Sequence, residues 1–225
     1  FFAAGDYTFS FEIALFLAET RNIPMVVYFC DDYYLIKRNS ISPLYWINRY
    51  LFKRKFAETV VKSVAYITIS DQMNEAYFDA FNKKGYVMMT ASTMLNINND
   101  ESPSSIKISY IGNLGFDRWK PLVQISRVLK NIIYNEQPLH IDVYSSEKRE
   151  EVLKHLNDAN GIQFKGFLNN DEVIEKMYES TLLLHVEDLD SDINKEKVKY
   201  SVSTKIADSL ASGTCLFAYG PAGVA

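Results

Sequence analysis

The stretch YSVSTKIADSLASGTCLFAYGP (Tyr200–Pro221) places a short helix-like segment directly before an apolar, strand-like one. Ile206 and Leu210 are four residues apart, which predicts a helix over Ser203–Ser212 with these two side chains facing inward. A glycine then ends the helix, and CLFAYG (Cys215–Gly220) has the continuous apolar character of a strand buried on both faces. A helix followed at once by a buried strand indicates an α/β fold with a parallel sheet.

The same alternation runs along most of the chain. Predicted strands are Ile23–Cys30, Ala65–Ser70, Tyr86–Ser92, Ser109–Ile111, Leu139–Ser146, Ile162–Phe167 and Thr181–Val186, and Phe1–Ala4 is typical of the end of a strand. Predicted helices are Ser42–Val64, Asp71–Gly85 with Asp71 as its cap, Arg118–Tyr134, Lys148–Asn157 and Asp171–Glu179. This pattern predicts parallel sheets covered by helices.

A polar stretch without periodicity, Asn96–Lys107, interrupts the alternation and is interpreted as a linker. The expected organisation is a partial domain over residues 1–97, a linker over 98–105 and a second domain over 106–225. Because the chain starts without Met at what looks like a strand end, we expect it to be truncated at one or both ends, with an incomplete first domain.

Composition excludes several functional classes. The 225 residues carry a net charge of −4, and residues 101–225 hold 14 basic and 18 acidic residues, which argues against nucleic acid as a partner. The two cysteines, Cys30 and Cys215, lie in separate apolar runs, so a reducing, cytoplasmic compartment is expected. No leader is visible, and the longest apolar run is too short to span a bilayer.

Gly112-Asn113-Leu114-Gly115 follows a predicted strand directly and precedes a predicted helix. Glycines at such a turn permit a close backbone approach to a phosphate, and the helix N-terminus supplies positive potential. Arg118, at the start of that helix, can bind phosphate oxygens bidentately. The loop alone is equally compatible with an ordinary βα turn. Arg118 could likewise be an ordinary solvent-exposed side chain near a helix start.

The second candidate site is the start of the helix at Ser203. The backbone N–H groups and hydroxyls of Ser203 and Thr204 can bind an anion, and Lys205 in the first turn opposes the helix dipole unless an anion lies there. Asp208, three residues after Lys205, can accept hydrogen bonds from sugar hydroxyls. The alternative for these two charges is an exposed ion pair.

Three segments together resemble the donor-binding domain of GT-B glycosyltransferases, especially the family 4 type of bacterial polysaccharide assembly. They are YIGNLGFDRWKPL, GIQFKGFLNNDEVIEKMYESTLLLHV and YSVSTKIADSLASGTCLFAYGP, in order within Ile108–Ala222. The most specific part is the S-x-K-x-x-[ED]-x-[LM]-A-x-G element. The first domain resembles the acceptor-side domain more loosely.

The resemblance implies two Rossmann-like domains and sugar transfer from a nucleotide-diphosphate sugar to a saccharide or lipid-linked acceptor, with retention of configuration and no metal. Gly112, Asn113 and Gly115 would face the donor diphosphate, Arg118 and Lys205 would neutralise it, Asp208 would contact the ribose, and Phe167 and Leu168 would border the base. No cofactor is implied, and the choice between UDP and GDP stays open. One departure is Tyr200, where relatives carry Glu near the donor sugar.

Other polar groups carry weaker expectations. Asp31, after the strand Ile23–Cys30, is a candidate for binding the acceptor or assisting its hydroxyl. The acids Glu187, Asp188, Asp190 and Asp192 are interpreted as a solvated acidic loop. No metal-ligand spacing relates His140, His155 and His185, and only His185, at a strand end, is expected to face a cleft.

Ser42–Val64 interleaves aromatic residues with Arg49, Lys53, Arg54 and Lys55. This pattern fits either a domain helix with a solvated basic edge or a surface that binds anionic lipid from the inner face of the membrane. Two alternatives to a transferase also stay open, a nucleotide-sugar epimerase of the same architecture and a non-catalytic nucleotide-sugar-binding subunit.

Overall fold

A computed structural model describes residues 2–36, 40–94 and 105–222 of the chain. They form two compact units. The first comprises the described part of Phe1–Thr90 together with Glu196–Val202, and the second comprises the described part of Ala91–Lys195 together with Ser203–Ala222. Most of the predicted linker over 98–105, and the basic residues Lys37 and Arg38, lie outside the described residues.

The first unit is a four-stranded parallel sheet of order β1-β2-β3-β4. Its elements are β1 (Phe2–Ala4), α1 (Thr8–Arg21), β2 (Val26–Phe29), α2 (Pro43–Lys62), β3 (Ala65–Thr68), α3 (Asp71–Phe81) and β4 (Tyr86–Val87). Since each crossover in a parallel sheet is right-handed, this order places the three helices on one face. Aromatic side chains fill the space beneath them, with Phe29 stacked on Phe56 at 4.6 Å between ring centroids.

The segment Glu196–Val202 joins this core, although the sequence pattern places it in the second domain. Val198 is buried, and Tyr200 and Val202 pack against the aromatic cluster. The Ser70 hydroxyl donates to the backbone oxygen of Tyr200 at 3.1 Å. The chain therefore leaves the first unit immediately before Ser203, where the last helix begins.

Two expectations for the first unit need correction. The helix predicted over Asp71–Gly85 ends at Phe81, because Asn82 adopts a left-handed conformation (φ 48°) and closes it, and Ser70 rather than Asp71 caps its start by accepting from Met73 N. Sequence periodicity also missed α1, whose apolar residues occur around its whole circumference.

Gly85 is required by packing rather than as a helix stop. A Cβ at this position would overlap the ring of the buried Tyr66 and the side-chain oxygen of Asn74. The Tyr66 hydroxyl is itself fixed by donating to the Lys83 carbonyl at 2.7 Å, so the ring cannot easily move aside.

We expect Gly85→Ala to lower the free energy of unfolding by about 1–3 kcal/mol, the usual cost of overpacking. Gly5→Ala is the matched control, because a Cβ there meets no atom within 4 Å. Chemical denaturation of both variants measures the difference. Equal stability of the two would contradict the assigned close approach.

The second unit contains a five-stranded parallel sheet of order β11-β10-β5-β8-β9. Its strands are β5 (Ile108–Ile111), β8 (Ile141–Tyr144), β9 (Ile162–Gly166), β10 (Leu182–Val186) and β11 (Cys215–Tyr219), and β6 (Ile133–Tyr134) pairs with β7 (Gln137–Pro138) as an antiparallel hairpin. Its helices are α4 (Trp119–Leu129), α5 (Glu150–Asp158), α6 (Asn170–Glu179) and α8 (Thr204–Ala211). The helix α7 (Asp192–Val198) belongs to this unit as far as Lys195, and its residues from Glu196 on belong to the first unit. The fold class is thus α/β with parallel sheets, as predicted.

Three local expectations for this unit were wrong. The helix predicted to reach Tyr134 ends at Leu129, and a hairpin follows whose turn residues Asn135 and Glu136 have positive φ. β11 is an exposed edge strand rather than a fully buried one. Leu210 is 63% exposed and does not pack inward.

Candidate functional site

The strand order reverses at β5, because the chain continues from β5 to β8 and β9 on one side and then returns to β10 on the other. Ligands of open parallel sheets bind outside the carboxyl ends of the strands at such a switch point. A pocket of about 140 Å³ lies there, bounded by the residues after β5, the end of β10 and the start of α8. Gly112, Asn113, Arg118, His185, Ser203, Thr204 and Lys205 are among its lining residues.

The loop after β5 is held rigidly by its neighbours. Leu114 is almost fully buried in the core of the unit, and the Tyr110 hydroxyl donates to the Asn113 carbonyl at 2.6 Å. The Asn113 side-chain oxygen accepts from Gly115 N at 3.0 Å. Burial raises the pKa of Tyr110, so its hydroxyl remains a neutral donor at physiological pH.

Lys205 directs its ammonium group into this pocket. Its Nζ donates to the Ile111 carbonyl at 3.1 Å and lies 3.3 Å from the position that a Cβ on Gly112 would occupy. Gly112 therefore leaves room for the cation above the strand end. Desolvation, and secondarily repulsion from Arg118, lowers the pKa of Lys205, although Asp208 opposes the shift. An anion bound in the pocket would favour the charged form of Lys205 and so counteract both the desolvation and the repulsion from Arg118.

Arg118, the N-cap residue of α4, is paired with Glu187. Its Nε donates to Glu187 Oε2 at 3.0 Å and its Nη2 donates to Oε1 at 2.7 Å, a bidentate ion pair. Nη1 donates to the Asn113 side-chain oxygen at 3.2 Å. The predicted phosphate-binding cation thus lies in the pocket already oriented by a carboxylate.

The expectation of a solvated acidic loop after β10 was wrong for its first two residues. Glu187 and Asp188 are 7% and 2% exposed. The Asp188 carboxylate accepts from the Asn194 side chain and from the backbone N–H groups of Asp190 and Ser191. Burial is possible here because each carboxylate finds charged or multiple hydrogen-bond donors, which sequence spacing does not reveal.

The N-terminus of α8 borders the pocket through Ser203 and Thr204. Ser203 is the N-cap residue, but its side chain makes no capping hydrogen bond. The first-turn N–H groups are therefore not satisfied by this cap, and they carry the positive end of the helix dipole. This arrangement favours an anion at the start of α8.

Four residues predicted for the donor site do not line this pocket, and Gly115, at the far end of the glycine loop, is one of them. Asp208 is half-buried one turn further along α8. Phe167 and Leu168 follow β9, which is separated from β5 by β8, and Phe167 is 72% exposed. Adjacent strands lie about 4.8 Å apart, so this loop stands roughly 10 Å along the sheet edge from the glycine loop.

Asp31 and Tyr200 belong to the first unit. The Asp31 carboxylate accepts from the Ser201 hydroxyl at 2.7 Å, and Tyr33 OH lies 3.5 Å from its other oxygen. Tyr200 packs against the core of the first unit. The predicted acceptor role of Asp31 therefore stays a prediction, and this side chain already has a structural partner.

His185, at the end of β10, lines the pocket as its place at a strand end suggested. Its Nε2 lies 3.5 Å from Glu187 Oε1. Desolvation lowers the pKa of His185; Glu187 opposes this, and Arg118 and Lys205 reinforce it. The imidazole is therefore neutral at pH 7.

We expect the ring protons of His185 to titrate with a midpoint below the unperturbed histidine value of about 6.5 in a proton NMR titration. Because its folded-state pKa is depressed, protonation favours the unfolded chain, and this residue's contribution to stability is lost as the pH falls below about 6.5. His185→Gln should reduce that acid sensitivity. A midpoint above 6.5 would be inconsistent with the described environment.

Across residues 2–36, 40–94 and 105–222, no group of three or more His, Cys, Asp or Glu residues is arranged to hold a metal ion. Cys30 and Cys215 are both free thiols at the surface. None of the helices described is both long and apolar enough to cross a membrane.

Three solved structures to which this chain is similar are glycosyltransferases. A sucrose-phosphate synthase from Thermosynechococcus elongatus superposes with a TM-score of 0.61 at 12% identity over 94% of this chain. The pneumococcal O-GlcNAc transferase GtfA, solved with UDP and GlcNAc, gives 0.56 at 15% identity over 94%. The chain has the GT-B fold. A TarM variant from S. aureus, in complex with fondaparinux, alpha-GlcNAc-glycerol and UDP, gives 0.51 at 13% identity over 80%.

The chain spans 54%, 40% and 35% of those three proteins, so it corresponds to about half of them or less. No family model matches the chain, and no curated protein matches its sequence significantly. At these identities the likeness concerns the fold alone.

Proposed function

We propose that this protein is a glycosyltransferase that moves a sugar from a nucleotide-diphosphate donor to a saccharide or lipid-linked acceptor. The observation that carries the proposal is the convergence of Lys205, Arg118 and the start of α8 on one pocket at the switch point of the sheet. Two cations and a helix N-terminus form an environment suited to a diphosphate. The fold shared with solved glycosyltransferases supports the same reaction class.

Glycosyl transfer breaks the bond between the anomeric carbon and the diphosphate, so negative charge develops on the leaving group. We propose that Lys205 and Arg118, which both line the pocket, stabilise that charge without a metal. Fixed donors of this kind typically contribute about 3–4 kcal/mol each to lowering a barrier. We further propose retention of anomeric configuration, with a leaving phosphate oxygen accepting the proton of the acceptor hydroxyl.

The pocket holds only part of such a donor. Its volume of about 140 Å³ is smaller than a site that encloses a whole nucleotide sugar, and it suits the diphosphate. We propose that the ribose extends toward Asp208 and that the base lies along the sheet edge toward Phe167 and Leu168. UDP and GDP both remain candidates.

A thermal-shift comparison of UDP, GDP, ADP and CMP tests this assignment, because a ligand that binds only the folded state raises Tm. A rise with one nucleoside diphosphate supports the proposal, and sugar transfer from the matching donor completes the test. Binding without turnover would favour a non-catalytic subunit, and inversion at a sugar carbon without transfer would favour an epimerase. The absence of any nucleotide-dependent shift would argue against a donor site.

Lys205→Ala should lower kcat for sugar transfer by about 10²–10³-fold, the usual effect of removing one fixed donor at a developing charge. Lys154→Ala is the matched control, because Lys154 is exposed on α5 and lies outside the pocket. Steady-state kinetics with the donor varied measures the effect. Near-normal turnover in the first variant would remove the role assigned to Lys205.

A second surface bears on the acceptor. The outward sides of α1 and α2 are apolar: Phe9, Ile13, Phe16 and Leu17 on α1, and Leu44, Ile47, Tyr50 and Leu51 on α2, are each at least 43% exposed. Their spacing of three and four residues aligns them opposite the buried face of each helix. Large exposed apolar patches mark interaction sites.

One exposed cation accompanies this patch. Arg54 is exposed two turns beyond Ile47 on the same side of α2. By contrast, Arg49 donates to the carbonyls of Tyr33, Tyr34 and Ile36, so it is a structural residue rather than part of a solvated basic edge. We propose that the patch binds an anionic membrane surface, which would bring the protein to a lipid-linked acceptor.

Phe9→Ser combined with Phe16→Ser should reduce cosedimentation with phosphatidylglycerol vesicles at least tenfold, because each aromatic side chain contributes about 1.5–3 kcal/mol when buried. Ile133→Ser, which removes an apolar residue 71% exposed on β6, is the control and should bind as the unmodified protein does. Neutral phosphatidylcholine vesicles should bind weakly. Equal binding to both vesicle types, or a stable dimer by light scattering, would contradict the proposal.

A further inference from the structure

Arg118, which lines the pocket, forms a largely enclosed ion pair with Glu187. The Arg118 and Glu187 side chains are 18% and 9% exposed. A guanidinium has five N–H groups, and three are engaged here, two by Glu187 and one by Asn113. One N–H on each terminal nitrogen is left for a ligand.

Glu187 is itself held in place from two sides. Its backbone N–H donates to the Tyr219 carbonyl at 2.9 Å, which extends the pairing of β10 with β11. A Cβ on Gly220 would lie 3.2 Å from Glu187 Cβ, so the absence of a side chain at Gly220 allows this close packing. The carboxylate is therefore fixed to the sheet rather than to a mobile loop side chain.

We infer that Glu187 is a positioning residue that holds the Arg118 guanidinium and, through Asn113, the glycine loop in the arrangement that binds a diphosphate. This inference rests on the proposed function. The negative charge of Glu187 itself opposes binding of a diphosphate, since a carboxylate next to a phosphate site lowers the local positive potential.

Two effects of Glu187 therefore have opposite signs. As a charge it repels a diphosphate, so removing it would tighten binding. As an anchor it fixes the direction of the remaining N–H groups, and removing it would leave a buried guanidinium free to turn away and pair elsewhere. The bidentate geometry and the shared Asn113 oxygen favour the second effect, because bidentate binding of phosphate depends on the plane of the guanidinium.

The experiment measures the Kd of UDP, GDP and inorganic pyrophosphate by calorimetry for the unmodified protein, Glu187→Ala and Glu187→Gln. Positioning predicts at least tenfold weaker binding in Glu187→Ala, and partial recovery in Glu187→Gln, whose amide oxygen still accepts from Arg118. In kinetics, the KM of the donor should rise more than kcat falls. Tighter binding in both variants would overturn the inference, because it would show that the charge dominates.

Two further variants separate positioning from loss of stability. In an Arg118→Ala background, Glu187→Ala should cost no additional affinity, whereas a general structural effect would still add its own loss. Gly220→Ala, which displaces Glu187 and keeps its carboxylate, should weaken binding by a smaller factor, with circular dichroism confirming the fold. Failure of the unmodified protein to bind any of the three probes would overturn the proposed function as well, whereas normal binding in Glu187→Ala would overturn this inference alone.

Discussion

The contact on which the candidate site depends is the part-buried, bidentate ion pair between Arg118 and Glu187. It joins the loop after β5 to the end of β10, the two sides of the switch point, and it aligns a guanidinium with the Lys205 ammonium in the same pocket. A buried ion pair is seldom retained for stability alone, since its desolvation offsets much of its attraction. Its position at the carboxyl edge of the sheet, on a residue that lines the pocket, suits it instead to orient a guanidinium toward an anion.

The remaining parts of the pocket fix the position of the Lys205 ammonium and of the glycine loop. Gly112 leaves space for the Lys205 ammonium, which donates to the Ile111 carbonyl. Tyr110 and Leu114 hold the loop so that its backbone does not need to rearrange when a ligand arrives. Under the proposed function, preorganised positive potential of this kind would stabilise the charge that develops on a departing diphosphate.

The first unit contributes chemistry of another kind. Its core is built largely from aromatic rings in mutual contact, including the stacked pair Phe29 and Phe56. The helices α1 and α2 also expose aromatic and aliphatic side chains on their outward sides. Helices that are apolar around their circumference lack the periodicity by which sequence patterns are recognised. Because α1 has apolar residues on all sides, its sequence lacks a helical periodicity and the helix was not predicted. The outward apolar residues form the surface that is proposed to bind lipid.

The sequence by itself determined the alternation of strands and helices, the two parallel sheets and the GT-B class. It did so because buried strands and amphipathic helices have distinct periods, and because the element around Lys205 is specific. It also singled out Gly112, Arg118, Ser203 and Lys205, since glycines and cations at strand ends and helix starts follow local rules. The hairpin after α4 was not predicted, because the helical spacing of apolar residues continues to Ile132, whereas the left-handed conformation of Asn135 forms a turn.

Only the tertiary structure decided which strand ends are neighbours, and thus that Glu187 and His185 lie beside Arg118. Glu187 is far from Arg118 in sequence, and nothing local separates a buried, paired carboxylate from a solvated one. The joining of Glu196–Val202 to the first unit and the exposure of β11 likewise depend on long-range packing. Burial and pairing of charges are properties of the folded neighbourhood, which residue type and spacing do not encode.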